Sequence, residues 1–131
     1  MSALARFARL KGINVFGYDK TETSLTKQLV SEGIKITYTD LESEIPLAIQ
    51  NPLETLVVFT PAVPKNSLIL NWFQQHNYNV IKRSKLLGDV TKHTLCLAVA
   101  GTHGKTTTSA ILGHLLAYCE MPVTAFLGGI A

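Results

Sequence analysis

Residues 95–116, LCLAVAGTHGKTTTSAILGHLL, decide the class of fold. An apolar run ends at Ala100, Gly101 and Gly104 bracket two polar residues, and Lys105-Thr106 opens a segment with apolar residues at helical spacing. Strand, glycine turn and helix in that order make a grip for phosphate, because the turn's N–H groups and the helix N-terminus form a concave positive site. The lysine adds a mobile charge for β and γ phosphates, and the hydroxyl beside it can ligate Mg²⁺. Gly101, Gly104, Lys105, Thr106 and Thr107 are therefore candidate nucleotide contacts. Thr106 is the metal-side hydroxyl, and Thr108 offers a further donor.

The loop reads G-T-x-G-K-T and departs from the usual G-x-x-x-x-G-K-[ST], which wants glycine where Val99 stands. A helix start without a ligand is the alternative reading. His103 either hydrogen-bonds phosphate or a neighbouring domain, or faces solvent without chemical duty. His76, His93 and His114 have no partner spacing for a metal and are assigned nothing.

Upstream, strands and helices alternate. Leu4, Phe7, Ala8 and Leu10 recur at helical spacing, with Gly12 where a left-handed cap belongs. INVFGYD (13–19) reads as a strand, TETSLTKQLVSEG (21–33) as a helix with Leu25, Leu29 and Val30 inward and Gly33 as its stop, and IKITY (34–38) as a half-buried strand. EIPLAIQNP (44–52) is a short helix or loop. TLVVFT (55–60) is apolar enough for a strand covered on both faces. Ser67 or Asn66 can cap a helix presenting Ile69, Trp72 and Phe73; YNVIK (78–82) is a strand, and Ser84 caps KLLGDV (85–90). TLCLAVA (94–100), the glycine loop, a helix to about Cys119 and the strand VTAF (123–126) follow.

This order with short connections predicts an α/β fold: a doubly wound, Rossmann-like parallel sheet over residues 1–92, then the first β-loop-α-β unit of a P-loop ATPase domain over residues 93–131. Domains of the first kind open on a central strand and a glycine-rich turn. Here the first residues already belong to a helix, so the sequence reads as lacking that first strand.

In 131 residues, 47% hydrophobic and 16% charged residues suit a packed chain rather than a disordered one. The net charge of +3 is scattered apart from Lys82 to Lys85 (KRSK), which reads as a solvated helix entrance, so no nucleic-acid footprint stands out. Cys96 and Cys119 are too far apart for a Cys-x-x-Cys motif. Cys96, inside an apolar run, is expected as a buried reduced thiol, which fits a reducing compartment. No apolar stretch approaches the roughly 20 residues that span a bilayer, and the N-terminus is unlike a secretory signal.

The loop AGTHGKTTT (100–108) resembles the ATP loop of the Mur ligase family, the cytoplasmic enzymes that build the peptide of peptidoglycan precursors and so serve cell shape and division. MSALARF (1–7), VFGYDK (15–20), FTPAVPKN (59–66) and AFLGGIA (125–131) look like further landmarks of that family, in order along the chain. The resemblance implies a three-domain enzyme with a UDP-sugar domain, an ATPase domain and an amino-acid domain, using ATP and Mg²⁺, with Gly101, Thr102, His103, Gly104, Lys105, Thr106 and Thr107 as its ATP loop and Lys105 and Thr106 as its catalytic pair. The member it looks most like joins L-alanine to UDP-N-acetylmuramate through an acyl phosphate, and neither nucleic acid nor membrane is implied as a partner. A related member that attaches a whole tripeptide to the same UDP-sugar, and a nucleotide-binding module without catalysis, are the alternatives. On this reading the chain is an incomplete, inactive part of such an enzyme.

For the UDP end, Asp19 stands where an acidic residue after the second strand can bond a ribose or base, or else forms a turn or caps the next helix. Thr60 and Ala62 lie past the C-terminal end of a strand, where open sheets bind ligands; uridine contact and a rigid proline loop are both open. Gly128 and Gly129 either approach substrate by backbone or only turn the chain.

Overall fold

The computed structural model describes residues 1–127, as a mixed α/β structure in two compact units, Met1–Lys92 and the residues from His93 onward. Gly128 and Gly129 lie outside the described residues. In the first unit, helix α1 (Ser2–Leu10) leads to strand β1 (Phe16–Tyr18), helix α2 (Ser24–Ser31) and strand β2 (Lys35–Thr37). Two 3-10 turns, Glu42–Glu44 and Leu47–Ile49, precede strand β3 (Leu56–Phe59), helix α3 (Leu68–Gln75), strand β4 (Asn79–Lys82) and helix α4 (Arg83–Thr91).

Among the described residues all pairing is parallel. Phe16 lies opposite Lys35 and Tyr18 opposite Thr37; Leu56 lies opposite Asn79 and Phe59 opposite Lys82. Each pair is joined through a helix, as parallel neighbours require. The expected single sheet is instead two two-stranded sheets, with no ladder between β1 and β3 among the described residues. A ladder needs strands about 4.8 Å apart, and β1 and β3 each meet that condition on one edge only. TLVVFT, expected to be covered on both faces, is half-buried as β3, and Leu56 is exposed.

Local chemistry explains where the helices sit. Thr23 caps α2: its side chain accepts from the Thr26 amide at 3.2 Å, while the Thr26 hydroxyl accepts from the Thr23 amide at 2.8 Å. That reciprocal box turns Thr26 inward, and Leu29, three residues on, shares its face. Leu25 and Val30, expected inward, are exposed. In α1, Leu4 is buried but Leu10 is 87% exposed, because six residues of helix carry it about a third of a turn off the Leu4 face. Helix α4 starts at Arg83 directly from β4, with Lys82 at the N-cap and no side-chain cap. Ser84 is inside the helix, so it is not the cap expected; the chain leaves the strand too abruptly for a capping residue to intervene.

The core of this unit is Ile45, Ile69, Phe73 and Tyr78, with Tyr18, Ile49, Val57, Trp72 and Val80 packed on it. Phe73 meets Tyr78 edge-on at 4.8 Å between ring centres, and the Tyr78 hydroxyl donates to the Ile49 carbonyl at 3.0 Å. Aromatic packing and a satisfied phenol thus fasten α3 and β4 to the second 3-10 turn.

In the second unit, helix α5 (Lys105–Tyr118) forms as the periodicity predicts. The stretches on either side, 95–100 and 121–127, take part in no ladder, so the strands expected at TLCLAVA and VTAF are absent from the described residues. No residue from His93 to Leu127 is fully buried. Cys96 is exposed rather than a buried thiol, because no layer packs over its run. No helix among the described residues is long and apolar enough to cross a membrane.

Candidate nucleotide sites

Gly104 is the N-cap of α5 and stands in left-handed backbone, φ 75°. A residue with a Cβ is strained there even though the Cβ would meet no more than an ordinary contact, Thr108 Oγ1 at 4.0 Å, which is why glycine precedes the lysine. Gly101 has φ 155°. The N-terminus of α5 has no side-chain cap and no acidic residue in its first turn, so its leading amides face outward with the positive end of the helix dipole. Lys105 folds back over the loop, its Nζ donating to the Gly101 carbonyl at 2.7 Å and to the Thr102 carbonyl at 3.1 Å. A phosphate entering the loop would exchange these carbonyls for charged oxygens, a stronger acceptor set for an ammonium. His103 and Thr107 are exposed, and Thr106 is half-buried.

The UDP-end candidates sit in the first unit. Asp19 follows β1; its amide donates to the Thr37 carbonyl at 3.1 Å, and its Oδ1 accepts from the Thr21 amide at 3.1 Å. One carboxylate oxygen therefore closes a turn, while the cap of α2 is Thr23. Thr60 and Ala62 follow β3, and the Val63 amide donates to the Thr60 carbonyl at 3.1 Å. The loop is thus a tight turn with half-buried Thr60 and exposed Ala62 at its crest.

Two features escape sequence reasoning. Asp40, past the end of β2, places its carboxylate on the N-terminus of α3, with Oδ1 accepting from the Ser67 hydroxyl at 3.1 Å and the Ile69 amide at 2.9 Å, and Oδ2 from the Leu68 amide at 3.1 Å. An Asp after a strand signals a cap, yet nothing in the sequence names a helix 28 residues away as its partner. His76, assigned nothing, is the C-cap of α3 and stacks on Trp72 at 4.1 Å between ring centres.

Residues 1–94 match the model of the Mur ligase family, catalytic domain. Over the whole chain it is 54% identical to the UDP-N-acetylmuramate–L-alanine ligase of Christiangramia forsetii, and 47% identical to that of Porphyromonas gingivalis. The chain spans 29% of the length of each of these relatives. Among solved structures it resembles the UDP-N-acetylmuramate-alanine ligase of Thermotoga maritima with a TM-score of 0.90 at 31% identity, covering 100% of this chain and 30% of that one. It also resembles the UDP-N-acetylmuramate:L-alanyl-gamma-D-glutamyl-meso-diaminopimelate ligase of Neisseria meningitides, with a TM-score of 0.77 at 25% identity over 97% of this chain and 43% of that one.

Proposed function

We propose, since the chain belongs to the Mur ligase family, that it serves in an ATP-dependent ligase joining L-alanine to UDP-N-acetylmuramate in peptidoglycan precursor synthesis. The observation that carries the reading is the loop Gly101–Thr107 opening an uncapped helix N-terminus in a chain 54% identical throughout to a relative named for that reaction. Residues 1–92 are assigned to the UDP-sugar and residues from 93 onward to ATP, as the loop and helix that open the ATPase part. The cytoplasm is the proposed compartment.

The residues present fit a nucleoside triphosphate: left-handed Gly104, amides free of any side-chain cap and a lysine held only by carbonyls make an anion cradle. Gly101, Thr102, His103, Gly104 and Thr107 would line the phosphates, Lys105 would release Gly101 and Thr102 to neutralise the transferring γ-phosphoryl, and the Thr106 hydroxyl would face Mg²⁺. The ion, when bound, supplies positive charge shared between the phosphate oxygens. Transfer to the muramoyl carboxylate activates it as an acyl phosphate, and the alanine amine then displaces phosphate. Asp19, through the oxygen that does not close the turn, and Thr60 with Ala62 are the proposed uridine and ribose contacts.

The test is phosphate release by the full-length protein given ATP, Mg²⁺ and UDP-N-acetylmuramate, with L-alanine or with L-alanyl-γ-D-glutamyl-meso-diaminopimelate as acceptor. Release that depends on L-alanine supports the reading. Release only with the tripeptide moves the chain to the reading that the Neisseria structure favours, and release with neither leaves a nucleotide-binding module.

A further inference from the structure

We propose that Asp40 is a positioning residue that holds the 60–67 loop in the shape that meets the sugar nucleotide, without touching the nucleotide itself. The inference rests on the assignment of Thr60 and Ala62 to uridine contact. The loop is two successive turns, closed by the Val63 amide on the Thr60 carbonyl and by the Ser67 amide on the Pro64 carbonyl, each at 3.1 Å. Its first end is fixed by β3. Its second end is Ser67, 2% exposed, whose hydroxyl accepts from the Leu70 amide at 3.3 Å as the α3 cap and donates to Asp40.

Asp40 reaches this end from the other sheet. The β1–β2 and β3–β4 pairs share no ladder, so the three bonds from Ser67, Leu68 and Ile69 to one carboxylate are a polar tie between the segment after β2 and the loop after β3. A carboxylate at a helix N-terminus gains from the dipole and from charge-assisted bonds, and it satisfies two amides that the helix cannot. It also occupies the place an anion would take there. The α3 N-terminus is therefore closed to the diphosphate, unlike the uncapped α5 N-terminus, and the loop is left to present Thr60 and Ala62.

The experiment compares wild type, Asp40→Asn and Asp40→Ala as 131-residue proteins, by amide hydrogen exchange and by titration with UDP followed through the loop amide resonances. Asp40→Ala strands a buried hydroxyl and two amides; Asp40→Asn keeps the oxygen serving Ser67 and Ile69 and turns an NH₂ toward Leu68. Exchange at Val63 and Ser67 should accelerate about tenfold or more in the alanine variant and less in the asparagine variant. The core amide of Tyr78, bonded to Phe73 at 3.2 Å, should keep its rate. UDP affinity should fall about tenfold in Asp40→Ala and be partly restored in Asp40→Asn. Loop amides unchanged in Asp40→Ala, or all amides accelerated alike, would overturn the proposal, as would loosened loop amides with undiminished UDP affinity. If UDP does not perturb the wild-type loop, the uridine assignment is wrong, and the exchange rates alone decide whether Asp40 holds the loop.

Discussion

Gly12 and Gly33 end neighbouring helices in the same left-handed backbone, with φ 80° and 88°, but their surroundings differ. A Cβ at Gly12 meets nothing within 4 Å, whereas at Gly33 it falls 2.5 Å from Nη2 of Arg9. Arg9 cannot swing away freely, because its Nε donates to the Glu32 carbonyl at 3.1 Å. Gly12→Ala should cost the left-handed strain alone, about 1–2 kcal/mol, and Gly33→Ala should cost more by about a hydrogen bond. Urea midpoints of the two variants check this; equal losses would show that the Arg9 contact carries no weight. Lys105 presents the opposite case, an exposed side chain bonded only to its own loop. In the full-length protein, Lys105→Ala should lower alanine-dependent phosphate release by at least about a hundredfold while moving the unfolding midpoint little, since no cavity forms. Near-normal turnover at saturating ATP and Mg²⁺ would remove the loop from catalysis.

At the scale of elements, a bidentate pair joins Arg9's bond to the Glu32 carbonyl in holding α1 to the end of α2. Arg6 Nε and Nη2 donate to the two Glu32 oxygens at 2.7 and 2.9 Å. This bond to Arg6 is the chief reason the Glu32 carboxyl lies below its ordinary value. A depressed carboxyl contributes its stability in full above its unfolded value and loses it as pH falls through the folded one. The wild-type advantage over Glu32→Gln should therefore be present at neutral pH and disappear in acid, below the ordinary glutamate range. Both groups are partly solvated, so the advantage should also shrink in molar salt. Unfolding midpoints at pH 7 and pH 3 provide the comparison, and a pH-independent difference would mean that the pair acts through packing.

At the scale of the whole molecule, the described residues from His93 to Leu127 have no fully buried member, and Leu95 and Tyr118 are 86% and 81% exposed. The first unit, in contrast, owns an aromatic core that draws on no residue beyond Val80. Residues 1–92 expressed alone should therefore keep the amide resonances of their core, and limited proteolysis of the 131-residue chain should cut first beyond Lys92. Collapse of the Tyr78 and Phe73 signals on removing residues 93–131 would show that the units depend on one another.

What the residues determined by themselves was local. Gly33, an α3 cap at Ser67 or Asn66, the parallel βαβ alternation and the helix after Gly104 follow from backbone geometry and from hydrogen bonds within a few positions, and each is legible in the sequence. Apolar spacing alone predicts the inward faces of α1 and α2, but Leu10, Leu25 and Val30 turn outward because the Thr23–Thr26 box and the packing of Leu4 set the rotation instead. The places of Thr60, Ala62 and Asp19 after strands name them as candidates, but the turn that engages Asp19 is only one of the three readings its sequence position leaves open. Tertiary structure alone decided whether strands meet: a ladder is a property of two segments, so TLCLAVA and VTAF, apolar as they are, stand unpaired among the described residues, and Cys96 is exposed. For the same reason Asp40 was invisible in advance. Its carboxylate acquires a role only when the fold brings the start of α3 within 3.1 Å, and no periodicity records an encounter across 28 residues.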